Sequence, residues 1–163
     1  MDTSTFWRLI EDSRTDTADI EEHTVRLVDR LAALAPQEIV AFHSEYRLHK
    51  ARAYTWRLWA AGYLINGGCS DDGFEYFRDW LIAQGQQVFE RALADADSLT
   101  DLDLPQDQDA EAEDLGGAAQ AAYRRLIGMD IPLEHVASPA APAGEPWRDE
   151  DLDTLLPSLS ARY

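Results

Sequence analysis

From Ile39 to Tyr63, the residues Ile39, Phe42, Tyr46, His49, Ala53, Trp56, Ala60 and Tyr63 recur at alternating steps of three and four. An α-helix places such positions on one face. The spacing predicts a helix over 37–66, about thirty residues and roughly 45 Å long. From Trp56 to Ile65 nearly every position is apolar or small, so this half is expected at the centre of the molecule. Asn66-Gly67-Gly68 stops it, because glycine accepts the left-handed backbone on which helices often end.

A second helix is predicted over 70–95. Ser70 can accept from the N–H groups near Asp72 and Gly73, and Asp71 and Asp72 fall in a first turn where the helix dipole favours negative charge. Cys69 is placed to pack on Phe74, and Phe74, Phe77, Leu81, Gln84, Val88 and Ala92 form the inward stripe. So short a turn makes the two helices antiparallel neighbours, with Trp59 expected near Phe77 and Trp56 near Trp80. The fold class that follows is all-α, a single-domain helical bundle around a central antiparallel hairpin.

Shorter helices are expected over Thr3 to Asp12 and Asp19 to Leu34, the latter on the stripe Ile20, Thr24, Leu27, Leu31, Leu34 and ended by Pro36. Residues 1–95 thus read as a helical core domain. Residues 96–114 read as an acidic linker, since 95–114 hold nine acids and no base. A further helix is expected over 115–128, closed by Gly128. Residues 129–163 hold five of the seven prolines and read as an extended tail.

The net charge of -17 divides as -6 over residues 1–95 and -11 over 96–163. Such a balance opposes nucleic-acid and anionic-membrane binding, which need a basic surface. No run of about eighteen apolar residues could span a membrane, and the start of the chain does not read as a signal peptide. Cys69, the only cysteine, excludes an internal disulfide. Thirteen arginines against Lys50 alone suggest a bacterial source, and a cytoplasmic location is expected.

Catalytic signatures are weak. Asp71 and Asp72 are consecutive helical residues and diverge by about 100°. Asp72, Glu75 and Asp79 share a face without a histidine, and Asp101-x-Asp103 lacks the glycine and closing glutamate of a calcium loop. Glu45 and His49 form one i, i+4 pair rather than the doubled Glu-x-x-His of di-iron bundles, so His49 reads first as a core histidine. No catalytic residue, metal or cofactor is assigned. One stretch stands out: Tyr46–Ser70 has no acid, and Arg47, Lys50, Tyr54 and Arg57 fall on one helix face. Guanidinium forks beside an aromatic suit carboxylate or phosphate, so this face is a candidate for an anionic ligand or a protein partner. The reading placed first is that this face docks on acidic stretches of the same chain, 95–114 included.

FWRLIEDS near the start and LWAAGYLINGGCSDDGFEYFRDWLIAQG resemble the bacterial domain of unknown function 4240 family over about residues 1–95. The family block GG-x-S-D-D-x-F-x-x-F-R-x-W-L finds Gly67, Gly68, Ser70, Asp71, Asp72, Phe74, Phe77, Arg78, Trp80 and Leu81 in place. The resemblance implies a helical fold and no established activity, and it leaves the acidic segment after residue 95 outside the match. It also suggests a second candidate site, in which Asp71, Asp72 and Arg78 lie among Trp59, Tyr63 and Trp80, and the small-molecule reading of that site adds His49 as a candidate. The leading functional reading is a non-catalytic binding or regulatory module, an acidic protein-interaction partner. The alternative is an enzyme or small-molecule-binding protein with its site at the entrance of the second hairpin helix.

Overall fold

The computed structural model describes residues 1–17, 19–104, 109–132 and 138–163, and among these the regular elements are helical. The chain is all-α, as its periodicity predicts. In order come α1 (Thr3–Arg14), α2 (Ile20–Ala32), α3 (Pro36–Arg52), α4 (Trp56–Ile65), α5 (Asp71–Ala83) and α6 (Gln86–Ala94). They are followed by α7 (Ala118–Ile127), α8 (Leu152–Leu155) and α9 (Pro157–Arg162). Short 3-10 turns cover Ala96–Asp101, Glu113–Gly117 and Asp149–Asp151. None of these helices is long and apolar enough to cross a membrane.

Local chemistry sets the helix starts. Asp2 accepts from Thr5 N at the head of α1, and Asp19 accepts from Glu21 N and Glu22 N at the head of α2. Pro36 opens α3, where Glu38 accepts from Ala35 N at 2.9 Å. One apolar cluster runs through the chain from Phe6 and Trp7 to Leu156 and Leu159, with α7 packed on α2 and α3.

The helix expected over 37–66 is two helices. Trp56 N donates to Ala143 O at 3.0 Å and Ala143 N donates to Tyr54 O at 2.9 Å, a parallel bridge centred on Thr55 and Ala143. Thr55 Oγ1 then accepts from Leu58 N and starts α4. The backbone groups released by the break are thus satisfied from elsewhere in the chain.

The helix expected over 70–95 is divided too. Gly85 has φ +90°, a backbone that glycine adopts without strain, and Gln86 N at the start of α6 donates to Glu11 Oε1 at 3.0 Å. Arg14 closes the end of α5 by donating to Gln84 O at 2.9 Å.

Between the limbs, the turn forms at the expected place. Gly68 N donates to Tyr63 O, and Ser70 Oγ accepts from Gly73 N at 3.1 Å. The antiparallel partner of α5, however, is α3: Tyr46 meets Asp79, Lys50 meets Glu75 and Asp79, and Tyr54 meets Phe74. Across α4 the register differs from the one expected. Trp59 stacks on Phe74 at 4.8 Å and Trp56 on Trp59 at 5.3 Å, while a methyl group on Gly62 would come within 3.1 Å of the Phe77 ring. Gly62 leaves room for that ring to approach the helix.

Later segments are more ordered than composition suggests. In the acidic stretch Ala96, Leu99, Ala110 and Ala112 are buried, while 105–108 lie outside the described residues. In place of an extended tail, Leu152–Leu155 and Pro157–Arg162 are helical, and Leu152, Leu156 and Leu159 are buried; 133–137 lie outside the described residues. Those three leucines recur at helical spacing among acids and prolines, which obscures them in the sequence.

Candidate functional site

Where α3 and α5 run side by side, Tyr46 and Lys50 sit one turn apart and face Asp79. This carboxylate is 2% exposed. It accepts from Lys50 Nζ at 2.7 Å and from Tyr46 Oη at 2.8 Å, and Lys50 also donates to Glu75 at 3.0 Å. Burial pushes the Asp79 carboxyl above its ordinary range, with Lys50 opposing the rise. The Tyr46 phenol is pushed up by burial and by Asp79. Gly116 closes over the carboxylate so tightly that a methyl group there would lie 3.0 Å from Asp79 Oδ2.

Arg78 stands beside this pair. Its guanidinium lies over the Tyr54 ring at 4.6 Å and the Phe74 ring at 5.1 Å. It donates to Lys50 O at 3.1 Å and Phe74 O at 3.3 Å. Lys50 is in the last turns of α3, where carbonyl dipoles favour a cation. Burial lowers the Arg78 pKa, but a guanidinium remains charged.

Above these groups opens a cleft of about 450 Å³, lined by His43, Tyr46, Arg47, Lys50, Ala51, Tyr54, Glu75, Arg78, Gly116, Ser138 and Pro139. His43 Nδ1 is buried without a hydrogen-bond partner, and burial together with Arg47 depresses its pKa. Three cationic side chains and the Glu75 carboxylate thus line the cleft beside one aromatic face and the His43 imidazole. Lys50 is paired with Asp79 and Glu75, so the Arg78 guanidinium over its aromatic rings is the group best placed to hold a carboxylate or phosphate.

The cleft brings together Arg47, Lys50 and Tyr54 and adds Arg78 to them. Arg57 points elsewhere and donates to Leu155 O at 3.1 Å. Asp71 and Asp72 are exposed in the first turn of α5, beside the Ser70 cap. Trp59 donates to Cys69 O, Tyr63 donates to Asp149, and Trp80 stacks on Phe77 at 5.5 Å. Trp80 borders a separate hollow of about 680 Å³ with Arg14, Gln84 and Glu111. His49 is buried against Phe6, Trp7 and Phe89. Its Nδ1 meets Arg52 at 3.1 Å, its Nε2 lies 3.4 Å from Glu45, and burial depresses its pKa. The polar and aromatic candidates are thus spread over several places, and Arg78 alone among them opens onto the cleft.

Sequence reasoning missed His43, Tyr46, Glu75, Asp79 and Gly116 as parts of this site. Tyr46 was hidden in the apolar stripe and Asp79 on what reads as a solvated acidic face. The available signal was the lone Lys50 one turn beyond Tyr46. Among the described residues, no group of three His, Cys, Asp or Glu side chains could hold a metal ion.

Helices enclosing a cationic cleft within an acidic chain define a small all-α domain. The family model for a protein of unknown function, DUF4240, matches residues 1–125, and the chain belongs to that family. No curated protein and no solved structure matches it. The match runs beyond the 1–95 expected from the sequence block, so the acidic segment after residue 95 lies inside the family domain. Residues 126–163 lie outside it, and with them Ser138 and Pro139 of the cleft wall.

Proposed function

We propose that the protein is a non-catalytic binding module whose cleft between α3 and α5 takes a small ligand carrying a carboxylate or phosphate. Arg78 carries this reading. Its hydrogen bonds go to carbonyl oxygens and its planar faces to aromatic rings, and among the described residues no carboxylate pairs with it. Glu75 and Asp79 act on it only through space, and an arriving anion would be its first direct carboxylate or phosphate partner, with Arg47 on the same wall. Cys69, the one thiol of the chain, lies outside the cleft lining, and burial pushes it up to about 11, so it does not supply a thiolate to this site. The setting we propose is the bacterial cytoplasm, in keeping with an arginine-rich, single-cysteine composition.

Titration calorimetry of the full chain at low ionic strength, with inorganic phosphate and with citrate, tests the proposal. Saturable binding of at least one is expected. Arg47→Ala and Arg78→Lys should each weaken it about ten-fold, the loss of a charge-assisted hydrogen bond. Absence of binding by both anions, or affinities unchanged in both variants, would contradict the reading.

A further inference from the structure

Glu75 and Arg78 sit one turn apart on α5, at i and i+3, and both line the cleft. Opposite charges at that spacing on a helix are neighbours and can close into an ion pair. Here they stay apart. Arg78 donates from Nε to Phe74 O at 3.3 Å and from Nη1 to Lys50 O at 3.1 Å, with its planar face over the Tyr54 and Phe74 rings. Glu75 is drawn toward α3 instead, where its Oε1 accepts from Lys50 Nζ at 3.0 Å.

Lys50 does not saturate Glu75. The same ammonium group also serves Asp79, at the shorter distance of 2.7 Å, so one lysine stands against two carboxylates. Asp79 is enclosed: Tyr46 and Lys50 occupy its two oxygens, and Gly116 closes over it. Glu75 is the open one. Its side chain is 57% exposed, and among the described residues nothing donates to its second oxygen, Oε2. Lys50 holds the Glu75 carboxyl below its ordinary range, so it is ionised at neutral pH. A ligand that is only an anion would meet Arg78 and be repelled by Glu75. A ligand that also carries a cation satisfies both.

Resting on the anion-binding reading above, we infer that the ligand of this cleft is a small zwitterion. Arg78 takes its carboxylate or phosphate, and Glu75 takes its ammonium group. Side chains three apart on a helix have Cβ atoms about 5–6 Å apart, so the two charges of the ligand are joined by a short spacer, as in an amino acid or an aminoalkyl phosphate. A cleft of about 450 Å³ has room for a molecule of that size.

Titration calorimetry of the full chain at low ionic strength tests this with two matched pairs, β-alanine against propionate and phosphoethanolamine against ethyl phosphate. Within each pair the anionic end is the same and the ammonium group is the difference, while the pair that binds tells carboxylate from phosphate. In at least one pair the zwitterion should bind about ten-fold tighter or more, the worth of a charge-assisted hydrogen bond. Glu75→Gln should bring the two affinities of that pair together, whereas Arg78→Lys should weaken both. Affinities equal or reversed within both pairs, or a preference that survives Glu75→Gln, would overturn the inference and leave anion binding intact. No binding by any of the four would also overturn it; the anion reading falls with it only if phosphate and citrate fail as well. If Glu75→Gln does not fold, a crystal structure of wild type with the tighter zwitterion decides. Its nitrogen within hydrogen-bond reach of Glu75 supports the inference, and a nitrogen turned to solvent overturns it.

Discussion

Lys50 is the only lysine of the chain, and its ammonium group points inward to Asp79 and Glu75. Removing one partner of a buried pair leaves the other charge uncompensated, at a cost of about 3–5 kcal/mol. Lys50→Met should therefore destabilise the protein by about that amount near neutral pH. The pH dependence follows from Asp79, whose folded-state pKa is raised by burial and loses the opposing effect of Lys50. A raised carboxyl pKa penalises the folded state above it, so the deficit should shrink as pH falls through that value. Urea unfolding of variant and wild type at about pH 7 and about pH 5 measures this, and a deficit that stays constant or grows on acidification would contradict it.

Among the elements, the two helix breaks have different causes, and only one left a trace in the sequence. Gly85 lies at the second break with φ +90°, and a methyl group there would come within 3.1 Å of Glu11 Oε1. Gly85→Ala should cost about 1–3 kcal/mol, because φ +90° with ψ 171° is a conformation essentially reserved to glycine, whereas Gly117→Ala, with open space around it, should cost less. Chemical denaturation of both variants checks this, and equal costs would contradict it. The glycine was visible, but the stripe from Leu81 to Val88 passes across it and gave no reason to stop. At the first break the stripe Ala53, Trp56, Ala60 also continues without a fault, and the interruption is fixed by Ala143, a residue far along the chain. Tertiary pairing of that kind has no local signature. The Ser70 cap and the exposed aspartates were legible because capping depends on neighbouring residues alone. The cleft was legible only in part. Arg47, Lys50 and Tyr54 share a helix face, but their meeting with Arg78 required the register of α3 on α5.

Over the whole molecule, three histidines sit in separate places and respond alike. Burial lowers the pKa of His23, His43 and His49 from the ordinary 6.5. A depressed histidine pKa means that the unfolded chain takes up protons first. The associated stability is present above 6.5 and is lost as pH falls through the lower folded-state values. The urea midpoint of wild type should thus be lower at about pH 5.5 than at about pH 7.5, and a flat or opposite trend would contradict the burial of these rings. The same global view separates two arginines that share a helix face in the sequence. Arg47 lines the cleft, while Arg57 holds the C-terminal segment at Leu155. The most direct measurement of the binding claim is a crystal structure of the full chain grown with tungstate, which stands in for sulfate or phosphate and is located by anomalous scattering. The account predicts a tungsten peak in the cleft within hydrogen-bond reach of Arg78 and Arg47; an empty cleft with peaks elsewhere on the surface would contradict it.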